Sequence, residues 1–294
     1  MKQAILITAY KDVDNIIDII NYFDNNFEFY IHVDKKNKDY FTSIKNNKRV
    51  HVFSKYSVSW GGINHLKAIL LLCYEGLKNN ENTFFHLISG QDYPIKSVKN
   101  FQNIDETKDY IDINEFSPKL WGGGGFDRLD YYHFYDIINI KNTIGSGTIY
   151  KLFVFNHFIQ KKLKLKRGYP NDFPKLYGGS TWWSLKRNTL QYVINYTNEN
   201  DKFLNRMKFA FCSEEIYFQT VLMTSSDFKN SWINDNLRYI DWIGRNGNNP
   251  SVLDVSDFSK IISSNKLFAR KFDKDISKEL KQMLKDKLLS DDLK

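Results

Sequence analysis

Two cysteines in 294 residues, no long apolar run and no glycine-rich phosphate fingerprint set the first limits on this chain. Cys73 and Cys212 sit singly in apolar contexts. They supply neither a disulfide framework nor a four-ligand zinc site, and they fit a reducing compartment. No hydrophobic stretch reaches the ~18–20 residues needed to span a bilayer. The opening MKQAILITAY has a short apolar stretch without a cleavage site, so no signal peptide is expected. The segment after the first apolar run, Ala9-Tyr10-Lys11-Asp12, lacks the glycines of a dinucleotide-binding turn or a P-loop. That argues against an NAD enzyme or a P-loop ATPase. There is no internal repeat, long linker or low-complexity tract.

What the chain has is a globular balance. Hydrophobic residues are 42% and charged residues 26%, enough for a large core and too apolar for wholesale disorder. Aromatics reach 16%, which suits either a ring-rich core or stacking on sugar faces. The net charge of +8 favours an anionic ligand, such as a nucleotide, nucleic acid or lipid headgroup. No nucleic-acid-binding motif is recognisable and the charge is dispersed, so nucleic acid is not an expected partner.

Periodicity predicts alternating strands and helices in the first half. Residues 3–9, 27–33, 50–53 and 83–89 read as strands. Residues 12–23 read as a helix capped by Asp12, and a second helix carries Leu66, Ile69, Leu70, Cys73 and Leu77 on one face. The order predicts an α/β fold with a mostly parallel, Rossmann-like sheet flanked by helices, binding its ligand beyond the carboxyl ends of the strands. Residues 121–125 (WGGGG) predict a flexible loop. Further helices are expected over 149–167, 187–197, 201–209 and 214–225, the last opened by Ser213. Residues 177–185 are expected to run from a glycine turn into a strand, and another strand is expected over 237–242. The tail over 274–293 is amphipathic, with Ile276, Leu280, Leu284 and Leu288 in line. We read one domain over residues 1–294: a nucleotide-binding half (1–114), then an acceptor-side half with the C-terminal helix (115–294).

Four stretches could carry chemistry. An acidic residue closing the second strand, Asp34, is placed to bond ribose hydroxyls, although a solvated loop aspartate has the same signature. Ser89-Gly90-Gln91-Asp92-Tyr93-Pro94 is either a plain turn or the edge of a ligand crevice. It holds one carboxylate where a metal-binding Asp-x-Asp would need two. Asp12 and Asp14 have that spacing but read as helix capping. In Leu267–Phe272, Arg270 and Lys271 alternate with aromatics and could neutralise a diphosphate, or be a surface pair. After Ser213, Glu214 and Glu215 lie in a first helical turn, about 100° apart, so only one of them can face a given site. An ionised glutamate there can act as a general base, or be ordinary acidic capping.

In chain order, HVD (32–34), WGG (60–62), HLISGQDYPIK (86–96), YGGSTWWSLKR (177–187), EEIYFQTVL (214–222) and LFARKFD (267–273) resemble glycosyltransferase family 14. That family comprises the core-2/I-branching β-1,6-N-acetylglucosaminyltransferases and peptide O-xylosyltransferases. The resemblance implies a variant of the A-type glycosyltransferase fold, a UDP-sugar donor (GlcNAc or xylose), inversion at the anomeric centre, and no divalent metal or other cofactor. It implies Glu215 as catalytic base. Ala9, Asp34, Ser59, Trp60 and Gly61 would line the nucleotide pocket, Thr181 and Trp182 the donor sugar or acceptor, and Arg270 and Lys271 the diphosphate. Family xylosyltransferases have Asp where this chain has Thr181, so the sugar is open to change. Residues 115–175, including Phe126-Asp127-Arg128, do not align with acceptor-binding segments of the family. The acceptor would be a glycan or lipid-linked glycan of a surface polysaccharide or lipopolysaccharide. The expected location is the cytoplasm or the inner face of a membrane. The competing reading is a relative that binds sugar nucleotides or glycans without turnover.

The stretch 149–167 sets Lys161, Lys162, Lys164, Lys166 and Arg167 beside Phe153, Phe155 and Phe158. It is read as an ordinary packed helix with a solvated basic end, or as a peripheral contact with an anionic membrane.

Overall fold

The computed structural model describes residues 2–116, 121–137, 146–247 and 249–292. Its twelve strands are β1 (Lys2–Ala9), β2 (Phe27–Val33), β3 (Val50–Phe53), β4 (Asn82–Ser89), β5 (Asp92–Pro94), β6 (Asp109–Ile111), β7 (Asn114–Glu115), β8 (Tyr177–Gly178), β9 (Trp183–Lys186), β10 (Trp232–Ile233), β11 (Arg238–Ile240) and β12 (Phe268–Arg270). The helices that matter below are α1 (Val13–Tyr22), α2 (Ile63–Leu77), α3 (Val98–Gln102), α4 (Asp127–Asp130), α5 (Ser146–Lys162), α6 (Arg187–Glu199), α7 (Asp201–Arg206), α8 (Glu214–Leu222), α9 (Ser226–Lys229), α10 (Phe258–Ser263) and α11 (Lys278–Asp292).

The main sheet has seven strands in the order β10-β6-β9-β4-β1-β2-β3. β1 pairs in parallel with β2 and β4, β2 with β3, and β6 with β10. β9 alone runs against its neighbours, antiparallel to β4 and β6. The fold is therefore α/β with a mostly parallel central sheet. A three-stranded sheet, β11-β12-β5, adjoins it, and β7 pairs with β8.

β1 shows why both faces must be covered. Its alternate residues go to opposite sides: Leu6 joins one core cluster, Ile5 and Ile7 the other. The first cluster packs Leu66, Ile69 and Cys73 of α2, Val193 of α6 and Phe218 of α8 against Phe85 and Trp183. The second packs Ile16 and Ile19 of α1, Phe101 of α3, Ile261 of α10 and Leu280 and Leu284 of α11 against Phe29, Ile88 and Phe268. Each such side chain, fully buried, contributes about 1.5–3 kcal/mol.

Several sequence expectations need correction. Asp12 stands at the N-cap of α1 with φ 61°, and its side chain makes no capping bond; it faces Lys11 at 3.5 Å instead. Ser213 likewise precedes α8 without capping it by its side chain. Residues 122–125 form a turn of 3₁₀ helix, and the Trp121 ring packs against Gly125. The expected 149–167 helix ends at Lys162. The expected 214–225 helix ends at Leu222 and the 201–209 helix at Arg206. Residues 177–185 do run from a glycine segment into a strand, β9, and the short strand β8 precedes it. The tail helix spans Lys278–Asp292, so Ile276 lies outside it and is exposed, while Leu280, Leu284 and Leu288 are buried. Residue 293 of that expected stretch lies outside the described residues.

Candidate active site

The parallel strands end along one edge, which brings Ala9, Asp34, Ser89 and Asp112 onto it. Because β9 runs the other way, it offers this edge the residues before it, Thr181 and Trp182. β12 reaches the same edge with Arg270, whose pairing partner on β5 is Asp92, three residues past the end of β4. The crevice expected beyond the strand ends is thus built from segments far apart in sequence.

One wall is held by Asp34. Its N–H donates to the Ala9 carbonyl at 2.8 Å. Its carboxylate accepts from the N–H groups of Lys36 and Val58 at 3.1 and 3.2 Å and faces Lys36 Nζ at 3.4 Å. Asp34 is buried, not the solvated loop residue its tripeptide also allowed. These bonds fix the loop that carries Ser59, Trp60 and Gly61 toward α2. Ser59 is buried, and Trp60 is half exposed, with its ring against Phe211 at 5.0 Å and Tyr135 at 5.9 Å. The Gly61 carbonyl accepts from Cys212 N–H at 3.0 Å, tying this loop to the start of α8.

The second wall is cationic. Arg270 is 7% exposed, with its guanidinium over the Trp182 ring at 4.0 Å. Its Nε and Nη1 are buried and, among the described residues, have no hydrogen-bond partner. Burial pushes its pKa down, opposed by the charges of Asp92 and Glu215. A buried cation with open donors is costly unless an anion completes it. The surface-pair reading of Arg270-Lys271 therefore does not hold for Arg270, which closes β12. Thr181 is buried beside Trp182. Lys271 follows across a cis peptide bond, and its N–H donates to the Ser251 carbonyl at 3.2 Å.

The third element is the start of α8, where the two adjacent glutamates diverge. The Glu214 carboxylate accepts from His65 Nδ1 at 3.0 Å, and His65 Nε2 lies 3.3 Å from Thr8 Oγ1. Glu215 instead faces Arg128 Nη1 at 2.5 Å. Burial raises the Glu215 pKa, and the Arg128 charge opposes that rise. Arg128 is itself held between aromatic rings, Trp121 at 3.5 Å and Phe211 at 5.3 Å. Trp121 sits so close to Gly178 that a Cβ there would come within 2.5 Å of its ring. Gly179 N–H donates to the Glu215 carbonyl at 2.9 Å, and a Cβ on Gly179 would lie 1.9 Å from the Asp112 carbonyl oxygen. The GGS stretch read as a turn thus seats both the carboxylate helix and its cation.

Of the residues singled out in the sequence, Ala9, Asp34, Thr181, Trp182 and Arg270 share the strand edge, Ser59, Trp60 and Gly61 lie on the loop Asp34 fixes, and Glu215 opens α8. Sequence reading missed Arg128, His65 and the pairing of Asp92 with Arg270. Arg128 had been noted only within a stretch that did not align. Nothing in a sequence links it to Glu215, 87 positions away. Asp92 carried a signal: it is the lone carboxylate of the SGQDYP turn. It is fully buried, accepting from Ser89 N–H at 2.8 Å and from the Ser89 hydroxyl. A cleft of roughly 230 Å³, lined by Asp112, Asn236, Arg238, Ile240, Trp242 and Lys266, opens alongside. Among the described residues, no three His, Cys, Asp or Glu side chains converge as metal ligands.

Comparison with known proteins gives a family. Two curated relatives are β-glucuronosyltransferases GlcAT14A and GlcAT14B of Arabidopsis thaliana. The first is 35% identical over 108 residues, covering 36% of this chain and 24% of that protein. The second is 36% identical over 112 residues, covering 37% and 25%. The chain therefore matches about a quarter of the length of these relatives. Among solved structures, a 4-diphosphocytidyl-2C-methyl-D-erythritol synthase of Anaerococcus prevotii superposes with a TM-score of 0.32 at 12% identity, over 67% of this chain and 76% of that one. The sequence model described as Core-2/I-Branching enzyme matches residues 4–262, and the chain belongs to that family.

Proposed function

We propose that this protein is an inverting glycosyltransferase of the A-type fold that moves a sugar from a UDP-sugar to a hydroxyl of a glycan or lipid-linked glycan. The observation that carries this reading is Arg270: a buried guanidinium at the strand edge, stacked on Trp182, with Nε and Nη1 open. A diphosphate supplies the anion those donors lack, and fixed cations there stabilise charge on the departing UDP without a metal. Lys271 next to it is assigned to the same diphosphate. Ala9, Asp34, Ser59, Trp60 and Gly61 receive the nucleoside, and Thr181 and Trp182 the transferred sugar.

The acceptor hydroxyl attacks the anomeric carbon on the face opposite the diphosphate. As the new C–O bond forms and the old one breaks, Glu215 takes the hydroxyl proton and the electron pair leaves on UDP. Arg128 orients the Glu215 carboxylate and favours its ionised form. For the sugar, GlcNAc and xylose remain the family expectation, and the names of the curated relatives add glucuronic acid. A thermal-shift screen with the three UDP-sugars selects among them, since a ligand that binds only the native state raises the melting temperature.

Glu215→Gln tests the reading directly. It is expected to lower turnover about 10²–10⁴-fold while leaving UDP affinity unchanged. Equal turnover removes Glu215 from its role. A chelator is expected to leave turnover intact; a requirement for added Mn²⁺ or Mg²⁺ would contradict the metal-free mechanism. UDP-sugar binding with no transfer or hydrolysis by the wild-type chain would favour a binding protein instead.

A further inference from the structure

Helix α5 is turned inside out for a surface helix. Its protein-facing side carries Phe153, Asn156, His157 and Gln160. Phe153 stacks on Tyr135 at 5.0 Å, His157 meets the Tyr131 ring edge-on at 4.7 Å, and Gln160 bonds the Tyr132 main chain at 2.8 and 3.1 Å. Its opposite side is apolar and open. Leu152, Val154, Phe155 and Phe158 are 51–60% exposed, and Leu163 and Leu165 in the turn after the helix are 62% and 52% exposed. An ordinary amphipathic helix does the reverse, and a monomer does not leave a contiguous strip of large apolar side chains in water without a use for it.

Charge identifies what covers the strip. Lysines 151, 161, 162, 164 and 166 are exposed along the same helix and turn. Lys161 and Lys166 are paired, with Asp127 at 2.6 Å and Asp130 at 2.8 Å. Among the described residues, Lys151, Lys162 and Lys164 have no carboxylate within ion-pair distance. Aromatic and aliphatic side chains between unneutralised lysines match the two layers of an anionic bilayer surface, acyl chains below and phosphates above.

We propose that α5 and the turn through Leu165 dock the protein on an anionic membrane, with Phe155, Phe158, Leu163 and Leu165 entering the acyl boundary and Lys151, Lys162 and Lys164 meeting lipid phosphates. Of the two readings the sequence left open for this stretch, the exposed apolar strip favours the membrane contact. Docking also sets the orientation of the candidate site. Asp127, which holds Lys161, adjoins Arg128, and Tyr135, which holds Phe153, touches Trp60 and Phe211. The acceptor side therefore faces the lipid. That consequence rests on the transfer reading; the docking surface itself does not.

The test is co-sedimentation of the full chain with phosphatidylcholine vesicles, with and without phosphatidylglycerol, at low and high salt. Binding is expected only with phosphatidylglycerol and is expected to weaken several-fold at high salt. Phe155→Ser with Phe158→Ser is expected to reduce partitioning at least about tenfold with an unchanged melting temperature, because both rings are already exposed. Lys162→Glu with Lys164→Glu is expected to abolish the preference for the anionic lipid. Absence of binding at low salt overturns the proposal. So does light scattering that shows a dimer split by the Phe155/Phe158 variant, which makes the strip a self-association face. No step of this test uses catalysis, so its failure leaves the transfer reading standing, and an inactive protein that still binds vesicles strikes that reading alone.

Discussion

Arg270→Met distinguishes a cation held for a ligand from one held by the fold. In the free protein, Nε and Nη1 of Arg270 are buried and, among the described residues, have no partners. Each orphaned donor costs about 1–3 kcal/mol, and methionine removes that cost. Against this stands the loss of the guanidinium contact with Trp182 at 4.0 Å, up to about 2 kcal/mol for a desolvated pair. The attraction of Asp92 and Glu215 for the charge is lost as well. The terms offset, so the melting temperature of the free variant is expected within a few degrees of wild type, at about 2–4 °C per kcal/mol for a large domain. The nucleotide response should behave differently. A hydrogen bond from a charged group contributes about 1.5–3 kcal/mol, so UDP affinity is expected to fall about 10–150-fold for each bond lost. Thermal shift with and without UDP, backed by calorimetric titration, reads both quantities from one sample. The reasoning is refuted if the free variant loses about 3–5 kcal/mol, as a broken buried ion pair would, while UDP affinity is unchanged.

Three further outcomes follow from the same geometry. Arg128→Met removes the cation that opposes the burial-raised pKa of Glu215, so the acid limb of the kcat/KM profile should move up by about 1–3 pH units, with Arg128→Lys recovering most of it; an unmoved limb uncouples the pair. Gly179→Ala forces a Cβ against the Asp112 carbonyl oxygen and is expected to cost about 3 kcal/mol or more in urea unfolding; a near-wild-type midpoint would disprove that close approach. Burial holds the His32 imidazole down at about 4, against 6.5 for a free ring, and its Nε2 accepts from Tyr56 N–H at 3.1 Å. The unfolded chain therefore takes up a proton that the folded chain refuses, so stability is full above pH 6.5 and is lost as pH falls toward 4. A flat urea midpoint across that window, in wild type compared with His32→Asn, would show that the ring does not govern it.

The alternating half of the fold was legible because its signals are local. Continuous apolar runs in β1, β2 and β4 and the one-sided α2 reflect burial on two faces and on one stripe. The reversed strand β9 was not legible, since only its non-local pairing with β4 and β6 decides its direction. The same limit governs the site. Asp34 and Glu215 lie at element ends that periodicity locates, and resemblance supplied their roles. The Arg128–Glu215 contact joins two elements through aromatic packing that no spacing encodes. Helix α5 shows a different failure. Its polar side chains read equally well as the solvent side, so the sequence could not say which side meets the protein; Asn156 and Gln160 decide it through hydrogen bonds to the Tyr132 main chain and His157 through its contact with the Tyr131 ring.

The seat of Trp121 against Gly178 has a consequence for change over time. Gly178 and Gly179 are neighbours: one receives the indole that supports Arg128, the other bonds the main chain of Glu215. The two ends of the Arg128–Glu215 pair are thus referenced to one dipeptide, like the jaws of a caliper on a common bar. Lengthening or rewriting the chain around that support leaves the jaw spacing alone so long as an indole fills the seat. The surrounding segments can then drift while the buried carboxylate keeps its cation.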